Sequence, residues 1–156
     1  AGRVQAGLCP RPRSGGEMMG DYIPILCVDF DGVLHSYSSG WKGARNIPDP
    51  PVDGAIEWLR SLLGCPENDG IGPRYLDFKV CIYSSRSRYW GGRKAMKKWL
   101  MKHGLDKYEI ELIDFPLMKP AAFVQLDDRA ITFTGVFPDP KELLTFKPWN
   151  KQVAVK

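Results

Sequence analysis

The chain has 156 residues, 44% of them hydrophobic and 26% charged, with a net charge of +4. Those values describe one folded domain of ordinary size and exclude a chain disordered throughout. No apolar run nears the roughly 18–20 residues that cross a bilayer, and the mild basic excess permits an anionic partner without requiring one.

Residues 1–20 are rich in Gly, Arg and Pro and lack both periodicity and the apolar core of a signal peptide. They read as a disordered or non-native segment, with Met18-Met19 as the natural start; the rival reading is a basic arm that touches polyanions. Residues 21–156 read as one domain. A strand is expected over 23–29, from the run Ile23-Pro24-Ile25-Leu26-Cys27. The long loop 34–51 follows, with Trp41 in its middle. A helix over 52–63 places Ile56, Leu59 and Leu63 on one side, with Asp53 near its first turn and Gly64 as a stop. A second polar loop covers 65–77.

Further strands are expected over 79–84, 109–113, 123–127 and, shorter, 131–134. A helix over 89–103 carries Met96, Trp99, Leu100 and His103 on one stripe, and a short helix over 140–146 closes the pattern. The short apolar runs Ile-Leu-Cys-Val, Val-Cys-Ile-Tyr and Phe-Val-Gln-Leu suit strands buried on both faces. Their alternation with helices predicts an α/β fold: a three-layer α/β/α sandwich with a central parallel sheet. Cys9, Cys27, Cys65 and Cys81 show no metal-ligand spacing, which suits reduced thiols in a cytoplasmic setting.

The chemistry concentrates where strands end. Asp29-Phe30-Asp31-Gly32 puts two acids at the end of the first strand, where the chain can splay them apart. Desolvating two like charges is costly without compensation, and a divalent metal supplies it. A metal beside a carboxylate nucleophile points to phosphate chemistry. Ser84-Ser85-Arg86 follows the second strand, Lys119-Pro120 comes later, and Asp127-Asp128-Arg129 ends the strand over 123–127. In an α/β sheet these carboxyl ends form the usual ligand-binding edge.

Together these residues resemble the haloacid dehalogenase (HAD) superfamily of phosphohydrolases, over about residues 23–135. Asp29-Phe30-Asp31-Gly32-Val33 resembles its first motif, Ser84 its second, Lys119 its third and Asp127-Asp128 its fourth. The resemblance implies a Mg²⁺-dependent phosphomonoesterase in which Asp29 is the nucleophile and forms an aspartyl-phosphate. Asp31 then moves protons to the leaving oxygen and from water. Ser84 and Lys119 hold phosphate oxygens, and Lys119 keeps Asp29 ionised. The metal set is Asp29, Asp31 through its backbone carbonyl, Asp127 and Asp128, the last bound directly or through water. Backbone N–H groups after Phe30 complete the phosphate cradle.

Ser85 can replace Ser84 one residue on, and Arg86 is the basic residue expected to see substrate. Trp41 is either a stacking platform for substrate or a hydrophobic peg for its loop. His35 reads as a loop residue with a local hydrogen bond rather than a base. The basic run from Arg86 to Lys102 reads as a solvated helix face in preference to a nucleic-acid track. The gaps between motifs hold no full cap domain, so the site is open, with loop 34–51 as a flap. An open site and a basic flank favour nucleotide or polynucleotide phosphate ends as substrates. The alternative is a phosphate-binding or phospho-receiver-like module without turnover; oligomeric state is not legible.

Overall fold

Strand β1 (Ile25–Val28) and strand β2 (Lys79–Ile82) carry Ile-Leu-Cys-Val and Lys-Val-Cys-Ile, apolar runs suited to strands covered on both faces. In the computed structural model, which describes residues 23–63 and 78–152, the two pair in parallel with Cys27 opposite Cys81. Strand β3 (Val124–Leu126) joins the other side of β1, giving the order β2-β1-β3. Among the described residues the first strand is therefore the central one. Its carboxyl end is flanked by the ends of both neighbours, and the Asp29 N–H donates to Leu126 O at 2.8 Å. The readings placed on residues 1–20, on Cys9, and on Gly64, Cys65 and loop 65–77 lie outside the described residues.

The helices follow their apolar spacing. Helix α1 (Ala55–Leu63) buries Ala55, Ile56, Leu59 and Leu63; it begins later than the expected 52–63 because Gly54 sits at φ 77° in the turn before it. Helix α2 (Gly92–Lys102) buries Met96, Trp99 and Leu100. It starts after a short 3-10 helix (Ser85–Arg88) rather than at residue 89, since Ser84 caps that turn and Gly91 takes a left-handed φ of 77°. His103 lies at its end, its ring tilted against Trp99 with centroids 4.5 Å apart. These side chains join Leu26, Val28, Phe30, Leu34, Val80 and Ile82 in one core.

Three expectations need correction. Residues 109–113 are not a strand: they fall in helix α3 (Lys107–Glu111) and its end. Asp106 accepts from the Glu109 N–H at 2.7 Å, and Glu109 accepts from the Asp106 N–H at 2.7 Å. This reciprocal cap nucleates a helical turn where the apolar residues alone suggested a strand. Only Asp114 reaches the sheet, as a single bridge to Cys81. Residues 131–134 form no strand, and Ile131 and Phe133 are exposed. Strand β3, at the edge of the described sheet, is not covered on both faces as its apolar composition predicted: nothing among the described residues buries Val124, 44% exposed, or Leu126, 43% exposed. Helix α4 (Pro140–Leu144), capped by Asp139, matches the expected final helix apart from its last two residues.

No helix among the described residues is long and apolar enough to cross a membrane. Cys27 and Cys81 are free and buried, and burial pushes the Cys81 thiol up to about 12 and raises that of Cys27. Thiols so far from ionisation are packing groups, not nucleophiles.

Candidate active site

A cavity of about 370 Å³ opens at the carboxyl end of β1 and brings together Asp29, Asp31, Ser84, Ser85, Lys119 and Asp127. Six residues from four separate stretches of sequence thus meet where the strand order places them. Tyr37 and Arg129 also line the cavity and were not expected there. Tyr37 carries one available signal, its position in the loop after the acid pair. Its backbone is left-handed, at φ 54°, a conformation that costs a bulky side chain energy and often marks a functional site.

Asp29 stands in the most unfavourable environment of the group. Burial, together with the charges of Asp127, Asp31 and Asp128, pushes its carboxyl up to about 7, against a lowering contribution from the Phe30 N–H. Lys119 is exposed and forms no ion pair with Asp29, so the expectation that it keeps Asp29 ionised is not met by this geometry. Asp128 is buried too, with its side chain 1% exposed. Neither of its carboxylate oxygens has a hydrogen-bond partner, and the nearest cation, Arg129 Nε, stays 3.9 Å from Oδ2. Burial raises its carboxyl, Arg129 opposes that, and Asp127 adds to it.

Oxygens of Asp29, Asp127 and Asp128 can all lie within 4.8 Å of one another. An orphaned buried carboxylate beside two further acids fits a hard divalent cation, which takes oxygen ligands and offsets their repulsion. Gly32 makes the arrangement possible. It holds φ 97°, and a Cβ on it would collide with the Asp128 carboxylate. Gly32→Ala is therefore expected to displace Asp128 and cut apparent Mg²⁺ affinity by about tenfold or more, as loss of a supporting group does at metal sites. Isothermal titration of Mg²⁺ into both proteins checks this; equal affinities would remove Asp128 from the metal set.

The second acid of the pair has a different environment. Arg86 Nε donates to Asp31 Oδ1 at 3.0 Å and Oδ2 at 2.8 Å, and His35 Nδ1 lies 2.9 Å from Oδ1. Burial alone would raise the Asp31 carboxyl, but the hydrogen bonds and charges of His35 and Arg86 outweigh it and hold Asp31 below the ordinary carboxylate range. Ser84 Oγ lies 3.3 Å from Asp31 Oδ2, so the serine expected to hold phosphate also touches the acid. The Asp31 side chain is thereby committed to protein partners, which leaves only its backbone for a metal.

Arg86 and Trp41 do not line the cavity. Arg86 is fully buried, and its Nη1 donates to the carbonyls of Gly43, Ala44 and Asn46 at 2.7–3.2 Å. It ties loop 34–51 to Asp31 instead of facing the cavity. Trp41 lies with its ring 4.7 Å from the Arg86 guanidinium and leans on Tyr89, contacts that suit a peg for its loop. His35 is buried and bonds locally, as expected, and also approaches Asp49 Oδ2 at 3.5 Å. The flap's base is closed by Ser36 N–H to Pro50 O and Val52 N–H to Leu34 O, both 2.9 Å.

Comparison with protein-family models, with curated proteins and with solved structures finds no match. The chain's own geometry is therefore the ground for any functional reading.

Near Gly32 the end of the chain returns to the site. Trp149 Nε1 donates to Gly32 O at 2.7 Å, and Asn150 Nδ2 donates to Ser36 O at 3.2 Å. The Gly32 N–H is taken by His35 O at 2.8 Å, so it is not free for the phosphate cradle expected after Phe30.

Proposed function

We propose that the chain is a Mg²⁺-dependent phosphomonoesterase of the HAD type, working through an aspartyl-phosphate on Asp29. The observation that carries this reading is the meeting of Asp29 and Asp127 with Ser84 and Lys119 around one cavity, with the Asp128 carboxylate within 4.8 Å of the other two acids. The three-layer α/β/α arrangement without a full cap, and a reducing cytoplasmic setting, belong to the same reading.

Asp29, Asp127 and Asp128 would hold Mg²⁺, which would supply positive charge against the meeting of an anionic nucleophile with an anionic phosphate. Ser84 Oγ donates to one phosphate oxygen and Lys119 offers a point charge to another. An Asp29 carboxylate oxygen attacks phosphorus, the bond from phosphorus to the ester oxygen breaks, and that oxygen takes a proton from Asp31. Water then attacks phosphorus, gives its proton to Asp31, and the bond to Asp29 breaks to release inorganic phosphate. Because Arg86 and His35 hold Asp31 anionic at rest, its protonation depends on the negative charge that a phosphate ester brings into the cavity.

One observation favours the alternative of a phosphate-binding or phospho-receiver-like module. An acid whose two oxygens share the Nε–H of a buried arginine is a poor resting proton donor. Turnover decides between the two. Wild-type protein is expected to hydrolyse an aryl phosphate with Mg²⁺ and to stop when the metal is chelated. Inactivity across aryl, alkyl, nucleotide and peptide phosphates would favour the binding module.

A further inference from the structure

A groove of about 1350 Å³ runs between α2 and the segment after α3. Arg45 from the flap, Arg88 from the 3-10 helix, and Lys94, Lys98 and Lys102 from α2 line it, all exposed. None of these five has a carboxylate within 4.0 Å among the described residues. The groove's two acids are already partnered by lysines outside it: Asp114 by Lys79 at 2.8 Å and Glu111 by Lys107 at 3.8 Å. The positive charge of the groove is thus not neutralised from within.

Aromatic rings stand in the same groove. Trp90 is 86% exposed and Tyr89 59% exposed. A tryptophan held in water at such exposure gains nothing from core packing, although Arg45 lies 5.4 Å from its ring centroid and orients it. The floor is firm: Arg93 Nη1 donates to Phe115 O at 3.3 Å and Lys97 lies 4.9 Å over the Phe115 ring. A solvated helix face explains lysines on α2. It does not explain a flap arginine and an exposed tryptophan turned to the same groove.

The groove adjoins the cavity at two places. Ser85 lines the cavity while Ser87 and Arg88 line the groove, so one short 3-10 helix, about 6 Å along its axis, separates them. On the other side Leu117 lines the groove and Lys119 the cavity. Cations for a phosphate backbone and rings for base stacking, running toward a phosphate-sized cavity, match single-stranded nucleic acid.

We infer that this groove binds a single-stranded polynucleotide and directs its phosphorylated end to Asp29. The direction toward Asp29 rests on the phosphatase reading; binding in the groove does not. Arg45 links the groove to the flap, so an occupied groove also bears on the loop that Arg86 clamps to Asp31.

Fluorescence anisotropy of a labelled oligonucleotide without terminal phosphate tests the groove on the full chain. Wild-type protein is expected to bind it, with log affinity falling against log salt at a slope of about −0.7 per phosphate neutralised. Trp90→Ala weakens binding by about 5- to 150-fold, the loss of one stacked base. The pair Lys94→Ala and Lys98→Ala flattens the slope by about 1.4. Binding no tighter than to polyglutamate of matched length, or variants that bind as wild type does, would overturn the proposal. Oligonucleotide binding without turnover of any phosphate ester overturns the catalytic reading and leaves the groove; turnover without oligonucleotide binding does the reverse.

Discussion

Asp29→Asn is expected to abolish turnover, by about 10⁴-fold or more, and at the same time to stabilise the fold at neutral pH. The loss follows from removing the attacking oxygen's charge. The gain follows from linkage. The carboxyl has an ordinary value of 3.8 and is pushed up to about 7 in the folded protein, first by burial and then by its acidic neighbours. A raised carboxyl binds more protons folded than unfolded between those values, so stability falls as pH climbs from about 4 to about 7 and stays low above.

An asparagine of the same shape removes that cost, about 2–4 kcal/mol at pH 8. Urea unfolding with chelator present, at pH 5 and pH 8, measures it: the variant's advantage grows with pH. Added Mg²⁺ narrows the gap, because it binds the folded wild type and stabilises it by mass action. A variant no more stable than wild type at pH 8 would mean that Asp29 is not strained by its neighbours.

Arg86→Ala carries the largest expected loss of stability, about 3–5 kcal/mol. It would leave Asp31 without the Nε–H shared by its two oxygens and strip the Nη1 donor from the Gly43, Ala44 and Asn46 carbonyls. Arg86→Lys retains charge but has no planar fork, so it recovers only part of the loss. The pH dependence has the opposite sign to that of Asp29. Asp31 is held below its ordinary 3.8, so its contribution is complete above about 4 and is lost as pH falls further.

If Asp31 moves protons as proposed, Arg86 positions it, and the lysine variant then carries a kinetic signature. Turnover of alkyl phosphates, whose leaving oxygen needs a proton, falls about 10²-fold. Turnover of nitrophenyl phosphate, whose leaving group does not, falls far less. Equal losses on both esters would reduce Arg86 to a structural clamp.

The site was more legible than the surroundings that tune it. Acids at strand ends are visible as a break in apolar runs, and the cavity does gather Asp29, Asp31, Ser84, Lys119 and Asp127. Arg86 was misread because a basic run looks alike whether its members face solvent or turn inward. Only the fold shows that this guanidinium meets Asp31, 55 positions away. Trp149 reaching Gly32 over 117 positions left no local trace either.

Helix α3 was legible in principle: Asp106 followed three residues later by Glu109 is a capping pattern, and it overrode the apolar residues that suggested a strand. The open β3 shows the limit of composition. A run such as Phe-Val-Gln-Leu states what a strand could bury, not whether anything covers it.

The central claim is a covalent intermediate on Asp29, and an acid quench during steady turnover tests it most directly. Digestion and mass spectrometry of the quenched wild-type protein are expected to find one phosphoryl group on the peptide containing Asp29, removable by hydroxylamine and absent from Asp29→Asn. Turnover with a phosphoryl group on any other residue, or in an Asp29→Asn protein as active as wild type, would contradict the account.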